Sequence, residues 1–195
     1  MAIGYKTTWI AVRERSAADV AAALGLTGLQ PLPWEDGTDR AYGQGVYVGG
    51  PVAGWTLAHG RHLPLISDYA EFPGRLSSLS TALGEVQFFG THRGVGYAAW
   101  AHARHGRVLR AYSIGDGELH HFRGEPTDIE RALGKATLPY PQDPDSLDDD
   151  GWDAWWRTVP GETDVMRVAG AWSVDPTLIE DVPSLGLYTS AATGD

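Results

Sequence analysis

Residues 85–123 read EVQFFGTHRGVGYAAWAHARHGRVLRAYSIGDGELHHFR, and this stretch decides the fold. Short runs rich in β-branched, aromatic and alanine residues are punctuated at Gly94-Val95, His105-Gly106 and Gly115-Asp116-Gly117. Glycine accepts the positive φ that tight hairpins need, so the pattern predicts four antiparallel strands at 85–93, 96–104, 107–114 and 118–123. Counting outward from those turns sets residue 100 opposite 89 and 111, and residue 112 opposite 120. One face of the meander then carries Val86, Phe88, Tyr97, Val108, Tyr112, Ile114 and Phe122, padded by Ala99, Ala101 and Ala103. That is a core face. The other carries Gln87, Phe89, Trp100, His102, Arg107, Leu109, Leu119 and His121, which is neither clean core nor clean solvent surface.

Upstream, Thr7–Arg13 alternates as a further strand. Ser16-x-x-Asp19 has capping-box form before Val20, Ala23 and Leu24, and Gly25 stands where that helix stops. Residues 27–44, with Pro31, Pro33, Gly37 and Gly43, read as a loop. Strands are expected at 45–48 and 55–59, and a helix over 75–83 from Leu76, Leu79 and Leu83. Downstream, Thr127-x-x-Glu130 caps another short helix. The expected fold is α+β: an antiparallel sheet of the 85–123 meander plus N-terminal strands, with short helices packed on one face.

Charge divides the chain. Residues 139–195 hold twelve Asp or Glu against two Arg, whereas residues 1–138 are balanced at thirteen of each, so the formal net charge of −10 belongs to the C-terminal segment. The chain is therefore read as an α+β body, 1–138, and an acidic, Trp-rich helical segment, 139–195, packed on it. In that segment Trp152, Trp155 and Trp156 recur at i, i+3, i+4, one face of a helix. Val165, Val168, Ala169 and Trp172 make a second apolar stripe. Asp175-Pro176 opens a last short turn, and the tail from Ser184 is expected to be mobile.

The chemistry readable from motifs is mostly exclusion. With no cysteine there are no disulfides, thiolate metal sites or Cys nucleophiles. His59-x-x-His62 and His102-x-x-His105 have odd spacing, so on a strand each pair points to opposite faces. His102 and His121 lie roughly 9–10 Å apart across two strand spacings, too far for one Zn²⁺ at about 2 Å per nitrogen. The Asp145–Asp150 run lacks the alternation of a Ca²⁺ loop. Nucleophile-elbow, P-loop and dinucleotide fingerprints are missing. No metal or cofactor is expected. Nucleic acid is disfavoured by the missing basic surplus; the opening MAIGYKTTW lacks the charged-then-apolar run of a signal peptide, and no apolar run reaches membrane-spanning length, so neither feature is expected. A cytoplasmic location is the expectation.

TTWIAVRERSAADVAAALGL near the start, FGTHRGVGYAAWAHARHGRVLRAYSIGDGELHHFRGEP in the middle and VMRVAGAWSVDPTLIED near the end resemble a group of actinobacterial and other bacterial α+β proteins. The resemblance rests on Trp9, Ala11, Val12, Leu24, Gly25 and Leu26, with Trp100 and Gly106 in the second block. It implies a cytoplasmic α+β protein and carries no activity, since none is assigned to that group. The general look is also similar to immunity proteins of bacterial toxin systems.

Two functions follow from the residues. The first is a protein-binding or neutralising module for a basic partner, with Asp145, Asp148, Asp149, Asp150 and Trp152 as contact candidates. The second is an enzyme or small-ligand binder using the sheet face, with Trp100 and Phe89 as anchors and His102, Arg107 and His121 as polar groups.

Overall fold

The computed structural model describes residues 3–65, 70–135, 146–180 and 182–190. The meander forms as β5 (Glu85–His92), β6 (Tyr97–Arg104), β7 (Arg107–Gly115) and β8 (Glu118–Arg123). It continues through β1 (Thr8–Arg13), β4 (Trp55–His59) and β3 (Val46–Val52) to β9 (Gly186–Thr189) and β2 (Gln30–Leu32). The described strands make one nine-stranded antiparallel sheet, ordered β2-β9-β3-β4-β1-β5-β6-β7-β8.

Helices cover both faces of this sheet, not one. α1 (Ala17–Ala23) and α3 (Phe72–Leu83) pack Val20, Leu76, Leu79 and Leu83 against Ile10, Val12, Val86 and Phe88. On the opposite face α2 (Trp34–Gly43), α5 (Asp149–Trp156) and α6 (Glu162–Trp172) bring Trp34, Trp155, Val165 and Val168 onto Trp9, Leu57, Phe89 and Trp100. α4 (Asp128–Leu133) adds Ile129 and Leu133 to the same layer. The reason is legible in β1: Trp9 and Ala11 alternate with Ile10 and Val12, so both sides are apolar and each needs cover.

Three local expectations change. Residues 34–43 are helical despite their loop-like composition. Pro33 stands at the N-cap, and Gly37 is required because an added Cβ would overlap the Tyr47 ring; tertiary packing overrides weak propensity here. Helix α3 starts earlier than expected, at Phe72, with Pro73 in its first turn. The expected mobile tail instead supplies β9, which pairs Tyr188 with both Tyr47 and Gln30. The acidic C-terminal segment thus contributes an internal strand to the sheet, and residues 191–195 lie outside the described part.

The meander register also departs from regular counting. Ala103 pairs with Val108, but His102 pairs with Arg110, so Leu109 is an extra residue on β7. Ser113 pairs with His121 and Ile114 with Leu119, making His120 the extra residue on β8. Each bulge inverts the side-chain alternation beyond it.

Candidate functional site

The Leu109 bulge builds the most chemically loaded part of the interior. It turns Arg110 and Tyr112 onto the Trp100 face, whereas regular counting places Tyr112 on the other. Tyr112 stacks on Trp100 with ring centroids 4.5 Å apart. Arg110 is buried and aims at Glu130 of α4: its Nη2 lies 2.7 Å and its Nε 2.8 Å from Glu130 Oε1. Trp100 Nε1 donates to the same oxygen at 2.7 Å. The other carboxylate oxygen accepts from the Thr127 amide and hydroxyl, closing the capping box. Arg110 also donates to the carbonyls of Arg123 and Gly124 and lies 4.7 Å from the Phe122 ring centroid. Burial pushes the Glu130 pKa up, but the bonds donated by Arg110, Thr127 and Trp100 outweigh it and hold the carboxyl below its usual range. A carboxylate saturated in this way is neither general base nor nucleophile. It ties α4 to the sheet.

The five sheet-face candidates are therefore not one site. Trp100 and Phe89 are fully buried in the core layer beneath the helices. His102 is partly buried, bonded to Glu85 at 3.0 Å and close to the Trp172 ring, and burial pulls its pKa down despite Glu85. His121, past the second bulge, faces the opposite layer against Phe72. Arg107 is exposed at the far hairpin, beside Gly106 and Ser77. Burial under α6 and α4 removes the anchors, and the two bulges disperse the polar groups. Sequence reading missed Arg110 and Glu130; an arginine in the middle of an apolar strand and the Glu of a capping box were the available signals.

His59 is a further buried titratable group of this layer. Its Nε2 lies 3.4 Å from Thr38 Oγ1, its Nδ1 has no hydrogen-bond partner among the described residues, and the rings of Trp34, Tyr42 and Tyr47 surround it. Burial pushes its pKa down to about 3. The unfolded chain takes up this proton at about pH 6.5, so stability is whole above that and declines on acidification at about 1.4 kcal/mol per unit. Between about pH 6.5 and 4.5 the wild type should lose roughly 2–3 kcal/mol more than His59→Phe. Denaturant unfolding at the two pH values checks this, and equal losses would contradict a neutral buried His59.

The partner candidates fall on α5. Asp148 is its N-cap, accepting from the Gly151 amide at 2.9 Å, and Asp149 and Asp150 occupy the first turn. Carboxylates there complement the helix dipole, each by about 0.3–1 kcal/mol. Asp145 lies outside the described residues. Trp155 is buried and Trp152 packs on the same core layer, edge-on at 5.9 Å. Trp156 is turned outward and 44% exposed, lying over Gly96, where an added Cβ would meet its ring at 3.5 Å. Asp149, Asp150 and Asp153 are exposed on the same short helix.

Among the described residues no group of three or more His, Asp or Glu could hold a metal ion, and no helix is long and apolar enough to cross a membrane. No family model, curated protein or solved structure matches the chain.

Proposed function

We propose that this chain is a cytoplasmic binding module that docks or neutralises a basic protein partner, as immunity proteins do for toxins. The observation that carries this reading is the outer face of α5. Trp152 and Trp155 fix the helix on the body, while Trp156, half-exposed over Gly96, and the carboxylates of Asp149, Asp150 and Asp153 are left at the surface. An aromatic held at the surface beside a cluster of carboxylates, here with Arg157 next to it, is an arrangement that can anchor a partner and steer its approach. Residues 1–138 carry no net charge, because their acids and bases balance. Nucleic acid is not the expected partner of so acidic a surface.

The test compares the wild type with Asp149→Asn/Asp150→Asn/Asp153→Asn and with Trp156→Ala. All four positions are exposed, so each variant should stay folded, with the triple change costing no more than about 1–2 kcal/mol of dipole stabilisation. A basic protein captured from the source cells by wild type should associate more slowly with the triple variant, most visibly at low ionic strength. It should dissociate faster from Trp156→Ala. A partner retained equally by all three proteins would remove α5 from the interface.

A further inference from the structure

Six strands and their connections converge at one end of the sheet on a cleft of about 470 Å³. It opens between the start of β1, the end of β4, the β5–β6 connection and the β7–β8 hairpin. Its polar wall brings together Lys6, Arg61, His92 and His120, with Asp116 as the acidic group, and Leu63, Val95 and Tyr97 supply an apolar side. Among the described residues neither Lys6 nor Arg61 forms an ion pair, although the chain as a whole carries an acidic excess.

Two backbone features aim side chains into this cleft. Lys6 has φ 52°, in the left-handed region that non-glycine residues avoid. It is held there by Thr91, whose hydroxyl accepts from the Lys6 amide at 3.1 Å and donates to the Gly4 carbonyl at 2.6 Å. Strain that the surroundings over-determine recurs at ligand clamps. On the opposite wall the second bulge makes His120 the extra residue of β8, next to Gly115. Bulges commonly re-aim a side chain beside a binding site. A cationic rim around an apolar wall, built on the ends of rigid strands, suits a ligand with a charged head and a greasy body.

We propose that this cleft binds a small organic oxyanion, its phosphate or carboxylate head held by Lys6 and Arg61 and its apolar body lying against Leu63, Val95 and Tyr97. The cleft adjoins the α5 face, since Trp156 lies over Gly96 between Val95 and Tyr97, but its argument does not rest on the partner proposed for that face.

Phenyl phosphate, benzoate and inorganic phosphate are titrated into the full chain and followed through its amide resonances, with benzylamine as the cationic control. Phenyl phosphate or benzoate should saturate with shifts centred on Lys6, Thr8, Arg61 and Gly115, and whichever binds more tightly identifies the head group. Inorganic phosphate, lacking the body, should bind at least tenfold more weakly than phenyl phosphate if phosphate is the head. Lys6→Gln and Arg61→Gln, both at exposed positions, should each weaken binding about tenfold or more and leave the melting temperature unchanged. Lys6→Gly should melt higher by about 2–4 °C, because glycine adopts this φ freely, and yet bind as poorly as Lys6→Gln. Absence of saturable binding by either aromatic anion would overturn the proposal. So would benzylamine binding best, undiminished binding to the double variant Lys6→Gln/Arg61→Gln, or a lower melting temperature for Lys6→Gly.

Discussion

A chain ending at Leu138 is expected to lose its cooperative fold. The truncation removes α6, whose Val165, Met166, Val168 and Ala169 lie buried in the layer that holds Trp9, Phe89 and Trp100. It also removes β9, the strand partner of β2 and a partner of β3. Each fully buried large apolar side chain contributes roughly 1.5–3 kcal/mol, and several are lost at once against a total stability of about 5–15 kcal/mol. The exposed Trp9/Phe89/Trp100 face would promote association. Circular dichroism and thermal unfolding of residues 1–138 check this. A monomer melting cooperatively at the temperature of the full chain would contradict it.

Removing the charge of Glu130 is the largest single-residue effect expected. Glu130→Gln keeps the volume and much of the helix cap, but it leaves the Arg110 guanidinium buried without its counter-charge. Breaking a buried pair from one side costs about 3–5 kcal/mol. Replacing both partners with apolar residues, as in Arg110→Met/Glu130→Met, removes the stranded charge and should recover much of that loss. Because the folded Glu130 pKa is depressed, this contribution is present above the unfolded carboxyl value and is lost as pH falls through the folded one. Chemical denaturation of the two variants checks the pair. A loss below about 1 kcal/mol for Glu130→Gln would show that the clasp does not hold α4.

The meander, the α1 and α4 caps and the Trp stripe of α5 were legible because each depends on neighbours in sequence. Glycine turns, a Ser or Thr three residues before an acid, and i, i+3, i+4 spacing are local rules. What escaped reading depends on distant contacts. One extra residue, Leu109, moved Tyr112 across the sheet and put Arg110 beside Glu130. No count along β7 reveals such a bulge without the pairing of β6. α2 was hidden because Gly37, a poor helix former, is needed to admit Tyr47. β9 is four residues long and exists only because β2 and β3 flank it. The spacing of Trp152, Trp155 and Trp156 gave the α5 helix but could not separate Trp155, which is core, from Trp156, which is not. The end cleft is assembled from positions 6 to 120 and has no motif to read.

The α5 proposal and the truncation both rest on one claim, that the acidic segment is built into the fold and not appended to it. Amide hydrogen exchange on the full chain tests this most directly. Val168 and Ala169 of α6 should exchange with the same opening free energy as Ile10 of β1 and Phe88 of β5, since all four are buried and opening one layer opens the other. Exchange of α6 and β9 through a separate, much cheaper opening, with β1 and β5 still protected, would contradict the account.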